Sequence, residues 1–257
     1  MKKTALFIFL ALSTLAIAQV SDLDREDQHV ASSVGGKREF KRLFEQELVY
    51  PDSSLNTKTG GKVELTFQVK ADSTVDRVKV SRSVNKEIDR EALRIFKMMK
   101  WVPAFDIGRP TETETYLTFN FQPNKYKEIC KNRGYTKPEY PSKLPVDSSM
   151  KIYQKVDQNP EYINGNQNLG EFVQKNLQYP EEVKSRGIAG QVILSFVVEP
   201  TGLMSNISIT KSIGAGCDQE AERVLELIKW KPGAKKGRVV RTQMTMPFNF
   251  QLSQNYR

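Results

Sequence analysis

Apolar positions along the chain follow one series twice. Phe40, Leu43, Phe44 and Leu48 recur at intervals of three and four, the spacing of a single helical face. Val63, Leu65, Phe67 and Val69 alternate with polar residues, which predicts a strand with one buried face. A short turn, Ala71-Asp72-Ser73, leads to a second strand through Val78 and Val80, and so short a connection predicts an antiparallel hairpin. Ile88, Ala92, Ile95, Phe96 and Met99 predict another helix, and Thr115, Leu117, Phe119 and Phe121 a third strand. The same series returns 129 residues later. The helical faces are then Leu169, Phe172, Val173 and Leu177, and Cys217, Ala221, Val224, Leu225 and Ile228. The strands are marked by Val192 to Val198, by Ile207 and Ile209, and by Met244, Met246, Phe248 and Phe250.

Residues 36–122 align with 165–251 without a gap, and 24 of the 87 pairs are identical. Ordinary residue usage would give about five, so the chain carries a duplicated domain. Tyr50-Pro51 matches Tyr179-Pro180, Ser83 matches Ser212, and Asp89 and Glu91 match Asp218 and Glu220. Trp101-x-Pro103 matches Trp230-x-Pro232. Each copy reads α-β-β-α-β. The fold class expected is α+β: two tandem domains, each a small three-stranded antiparallel sheet with two helices on one face. The third strand returns beside the first. The opposite sheet face is polar in copy one (Glu64, Thr66, Gln68, Lys70) but carries Ile193 and Val197 in copy two, so it should be covered there by the other domain, a second chain or a partner. The domains are placed at 36–122 and 160–252. Residues 123–159, with Pro123, Pro138, Pro141 and Pro145, are expected to form a partly extended linker.

The start of the chain adds a compartment. Lys2 and Lys3, an apolar run from Ala5 to Ile17, and Ala16-Ile17-Ala18 have the layout of a secretory signal peptide over 1–18, cleaved before Gln19. An acidic lead-in, 19–35, follows. The net charge of +9 becomes +7 without Lys2 and Lys3, and it is spread along the chain. On an exported protein that spread fits solvated faces with some attraction for anionic envelope polymers rather than nucleic acid. Cys130 and Cys217 are the only cysteines. Cys217 stands where copy one has Ile88, an apolar helix position, which favours a buried free thiol over a disulfide.

No catalytic, cofactor or metal set emerges. Gly187 and Gly190 lead into a strand without the Lys-Ser/Thr pair of a phosphate loop. His29 is the only histidine, which argues against a multi-histidine metal site or a His-based relay. Asp89 with Glu91, and Asp218 with Glu220, fall in the first turn of a helix, where negative charge suits the helix dipole. Trp101 and Trp230 read as core residues closing that helix.

Tyr179-Pro180, Gly187-Ile188-x-Gly190, the strand Val192 to Val198, Gly202, Ser212, Ala221, Trp230-x-Pro232 and Phe248-x-Phe250 together resemble the carboxy-terminal domain of the TonB energy-transducing proteins. Copy one resembles it more loosely. The resemblance implies a non-enzymatic periplasmic domain that grips segments of outer-membrane receptors by strand addition, and membrane contact only through such partners. The physics agrees, because an open sheet edge offers unpaired backbone groups to an extended peptide. The edge expected to bind is Arg241, Thr242, Gln243, Met244, Thr245 and Met246 in copy two, weakening at Pro247, which has no N–H. In copy one it is Glu112 to Thr118. The alternative is an envelope scaffold in which the domains bind each other, a second copy of the chain or cell-wall polymer.

Overall fold

Gly61 opens a nine-residue strand whose odd positions from Val63 to Val69 are buried, and around it the first copy assembles as its apolar pattern requires. The computed structural model describes residues 30–214 and 216–251. The expected leader, most of the acidic lead-in and His29 lie outside the described residues. In chain order, the first copy comprises β1 (Ser32–Ser33), α1 (Gly36–Glu47), α2 (Asp52–Asn56), β2 (Gly61–Val69), β3 (Val75–Arg82), α3 (Lys86–Phe96), β4 (Trp101–Val102), β5 (Ala104–Asp106), β6 (Arg109–Thr111) and β7 (Thr113–Phe121). Between the copies lie α4 (Pro123–Arg133) and β8 (Ile152–Tyr153). The second copy comprises β9 (Glu161–Tyr162), α5 (Leu169–Asn176), α6 (Glu181–Ser185), β10 (Gly190–Val198), β11 (Met204–Lys211), α7 (Cys217–Leu227), β12 (Trp230–Lys231), β13 (Ala234–Lys235), β14 (Arg238–Val239) and β15 (Arg241–Phe250).

The sheets have the order β3-β2-β7 and β11-β10-β15-β8. The three long strands of each are antiparallel, so the third does return beside the first. Each copy has its own core. Phe67, Phe96, Trp101, Phe119 and Phe121 lie in the first, and Phe196, Leu225, Trp230, Phe248 and Phe250 in the second. Each fully buried side chain of this size contributes roughly 1.5–3 kcal/mol. Cys217 is buried in the second core, and both cysteines are free.

The shared polar residues lock shared turns. The hydroxyl of Tyr50 donates to the Thr59 carbonyl oxygen and that of Tyr179 to Ile188, both at 2.7 Å. Ser83 donates to Asp89, as Ser212 does to Asp218. Glu91 accepts the Val49 N–H at 2.7 Å and Glu220 accepts that of Gln178 at 2.6 Å, two N–H groups that lie just past the ends of α1 and α5. These carboxylates therefore tie α3 and α7 to the chain leaving α1 and α5, which is more than the helix-dipole role their spacing suggests.

The connector departs from an extended linker over its first third. Residues 123–133 form a helix with Pro123 at its first turn, where a missing N–H is tolerated. Gly134 ends it at φ +80. Tyr126 is buried, and Ile129 and Cys130 pack on the first core. Arg133 then reaches back to the carbonyl oxygens of Glu45, Gln46 and Leu48 at 2.8, 3.0 and 2.8 Å, so α4 supplies the cap that the end of α1 lacks. The repeat also begins earlier than residue 36. Ser32–Ser33 pairs with Trp101–Val102, as Glu161–Tyr162 pairs with Trp230–Lys231.

The copies meet through α1 and β11. Arg42 and Gln46 donate to the Met204 carbonyl oxygen at 2.8 and 3.0 Å. Asn206 donates to the Met98 carbonyl oxygen at 2.9 Å and accepts the Lys100 N–H at 2.6 Å. Arg38 also pairs with Glu222. The approach is close: a Cβ added to Gly35, which sits at φ +74, would lie 2.3 Å from the Ile207 carbonyl oxygen.

Candidate functional site: the outer strands of the two sheets

Four long strands flank the two antiparallel ladders, and each presents its outer side differently. β11 is bulged at two places, with Asn206 at φ +54, and Met204 to Ile207 are buried under the first copy. β3 carries the same two irregularities, with Arg77 at φ +51. It is exposed from Arg77 onward and bears Arg77, Lys79 and Arg82. Bulges and lysine or arginine side chains are what discourage further pairing at an edge.

β15 contains the expected binding residues, and its first two are taken. Arg241 and Thr242 pair in parallel with Ile152 and Tyr153 of β8, and only 3% and 2% of their surfaces are exposed. The Arg241 guanidinium donates twice to Glu199 at 2.8 Å, to the Met98 carbonyl oxygen at 2.7 Å and to the Met150 carbonyl oxygen at 3.0 Å. It thus joins copy two, copy one and the connector. The expectation of an open edge at Arg241 and Thr242 is corrected by this pairing. Gln243 donates to Ser195 Oγ and to the Phe196 carbonyl oxygen, and accepts from Lys100 Nζ at 3.0 Å. The Lys100 ammonium is held below the usual lysine range, first by burial and then by the nearby positive charge of Arg241. Met246 faces the core, Met244 is half-buried against it, and Thr245 and Pro247 are exposed. The sheet face beside Val197, expected to be covered, meets the first copy where Lys100 bonds Gln243, the residue across from Val197.

Pro247 fixes the sense of this edge. It lies opposite Ile193 in a register unbroken from Gly190 to Val198. A proline has no N–H for the ladder, so its nitrogen faces away from β10. Residues of the same parity, Gln243, Thr245 and Asn249, therefore turn their N–H groups outward.

β7 has the same register against β2, nine pairs without a shift from Gly61↔Phe121 to Val69↔Thr113. Thr118 occupies the place of Pro247, so Glu114, Tyr116, Thr118 and Asn120 turn their N–H groups outward without interruption. Among the described residues no strand pairs with that side of β7. Glu112, Glu114, Tyr116 and Asn120 are exposed, Tyr116 by 66%.

The network around Arg241 was not anticipated from sequence, although a signal for it exists. Lys70 and Glu112 of copy one stand at the positions of Glu199 and Arg241, with the charges exchanged. Two linked reversals mark a pair that touches in space. Among the described residues there is no group of three or more metal-ligating side chains, and no helix is long and apolar enough to cross a membrane.

The family model described as Gram-negative bacterial TonB protein C-terminal matches residues 46–123 and 175–252. Among solved structures, the chain is similar to the TonB C-terminal domain of Pseudomonas aeruginosa, with 21% identity over 41% of this chain and 96% of that one at a TM-score of 0.29. It is also similar to the Helicobacter pylori domain, with 16% identity over 33% of this chain and 78% of that one at a TM-score of 0.25. No curated protein matches.

Proposed function

Because the chain belongs to the TonB carboxy-terminal family through both of its copies, we propose that it is a periplasmic adaptor that binds extended segments of outer-membrane receptors by strand addition. The family is one of protein interaction rather than catalysis. The observation that carries the proposal is β8 on β15. There the protein already holds a short extended segment in parallel on the outer strand of a family sheet. Backbone pairing of that kind supplies affinity, and alternate side chains supply selectivity. On β15 the stretch beyond β8, from Gln243 to Met246, remains as the receptor-binding edge of copy two.

The experiment is an NMR titration of the chain from Gln19 onward with amino-terminal peptides of outer-membrane receptors from the same cell. Shifts confined to an outer strand support the adaptor. No shift with any receptor peptide would refute it and leave the scaffold, in which the two copies serve chiefly to bind each other.

A further inference from the structure

Of the four flanking strands, two are closed and a third is open over only part of its length. β11 lies under α1, β3 is bulged and cationic, and β15 is paired at its start and interrupted by Pro247. Among the described residues, β7 alone of the four is regular, free of proline and unpaired along its outer side. The more divergent copy therefore has the better acceptor edge.

We propose that β7 of copy one is a separate strand-acceptor site for an extended protein segment bearing Lys or Arg at alternate positions. The proposal rests on the strand-addition reading above and names where, and to what chemistry, it applies. The outward N–H groups of Glu114, Tyr116, Thr118 and Asn120 and the carbonyl groups between them provide the ladder. Glu112 and Glu114 lie exposed two residues apart on the sheet face away from the helices, so they meet alternate side chains of an added strand. Glu112 accepts one bond from Gln68 and lies within the field of Lys70, whose ammonium is itself ion-paired with Asp76. Tyr116 follows at the next position on that face and offers its ring to an aliphatic stem or a cation. The corresponding positions on β15 are Arg241, Gln243 and Thr245, with no acid among them. The two edges therefore select different segments.

The test uses the chain from Gln19 onward, labelled with 15N, and two synthetic decapeptides, one alternating Lys with Val and one alternating Asp with Val. The Lys peptide should shift the amides of residues 113–121, and the Asp peptide should not. Thr118→Pro copies the residue that β15 carries at the same register, so the sheet tolerates it while one outward donor is lost. It should weaken binding of the Lys peptide by about tenfold. Thr245→Pro on the other edge should not. The double substitution Glu112→Lys/Glu114→Lys should reverse the preference toward the Asp peptide. Shifts of the Lys peptide confined to 243–249 and abolished by Thr245→Pro would overturn the β7 assignment and leave strand addition standing. If neither the Lys peptide nor the receptor peptides shift either strand, the adaptor reading itself falls.

Discussion

Arg241→Met tests whether the two copies are one folding unit. The guanidinium is 4% exposed and its partner Glu199 is 2% exposed. The substitution keeps an unbranched apolar stem but removes the guanidinium and its four donated bonds, two to Glu199 and one each to the Met98 and Met150 carbonyl oxygens. Among the described residues, Glu199 then keeps Ser205 as its side-chain hydrogen-bond partner. Removing one member of a buried ion pair costs about 3–5 kcal/mol, because the other charge is left desolvated. The assay is urea unfolding followed by indole fluorescence, which reports from Trp101 in one copy and Trp230 in the other. The variant should lower stability by that amount and separate the transition into two. Glu199→Met made together with Arg241→Met should lose less than Arg241→Met alone, since the stranded charge is gone while the two backbone carbonyls stay unpaired. A single variant within about 1 kcal/mol of the parent, with one transition, would refute the idea that this cluster joins the copies.

Three further outcomes are expected. Trp230→Ala removes an indole that is 4% exposed and packs 5.7 Å from the Phe196 ring, and should cost roughly 3–5 kcal/mol; an unchanged melting temperature would exclude the core role. Gly35→Ala forces a side chain into a left-handed backbone against the Ile207 carbonyl oxygen, and should cost about 1–3 kcal/mol while raising amide exchange along β11. Glu47, buried at the end of α1, has its carboxyl pushed above the usual 4.5, first by burial and next by the charge of Glu199. Its contribution to stability is complete below that value and is lost as pH rises through the higher folded value. Glu47→Gln should therefore raise the melting temperature at pH 7, with a gain that shrinks toward pH 4.5, as differential scanning calorimetry over that range would show.

What could be read in the sequence is what each copy does for itself. The alternation from Val63 to Val69 and from Val192 to Val198 locates the central strands, because burying one face imposes a period of two. Trp101, Trp230 and the Tyr-Pro pairs recur because they hold the same turns and cores in both copies. What the copies do for each other leaves no period. α4 was obscured by its many charged residues, although Pro123 at its start, Gly134 at its end and Tyr126, Ile129 and Cys130 between them mark a helix. β8 spans two residues, too few for any alternation to register. The closure of Arg241 and Thr242 follows from β8 together with Glu199, and no local pattern places either against β15.

The unbroken register between β7 and β2 has a mechanical meaning. All nine residue pairs lie along one axis, over a length of about 30 Å. Tension drawn along β7 is thus shared by the whole ladder in shear, whereas tension across it would part the strands one bond at a time. A segment lying alongside β7 pulls in the first direction, the one in which so small a sheet resists best.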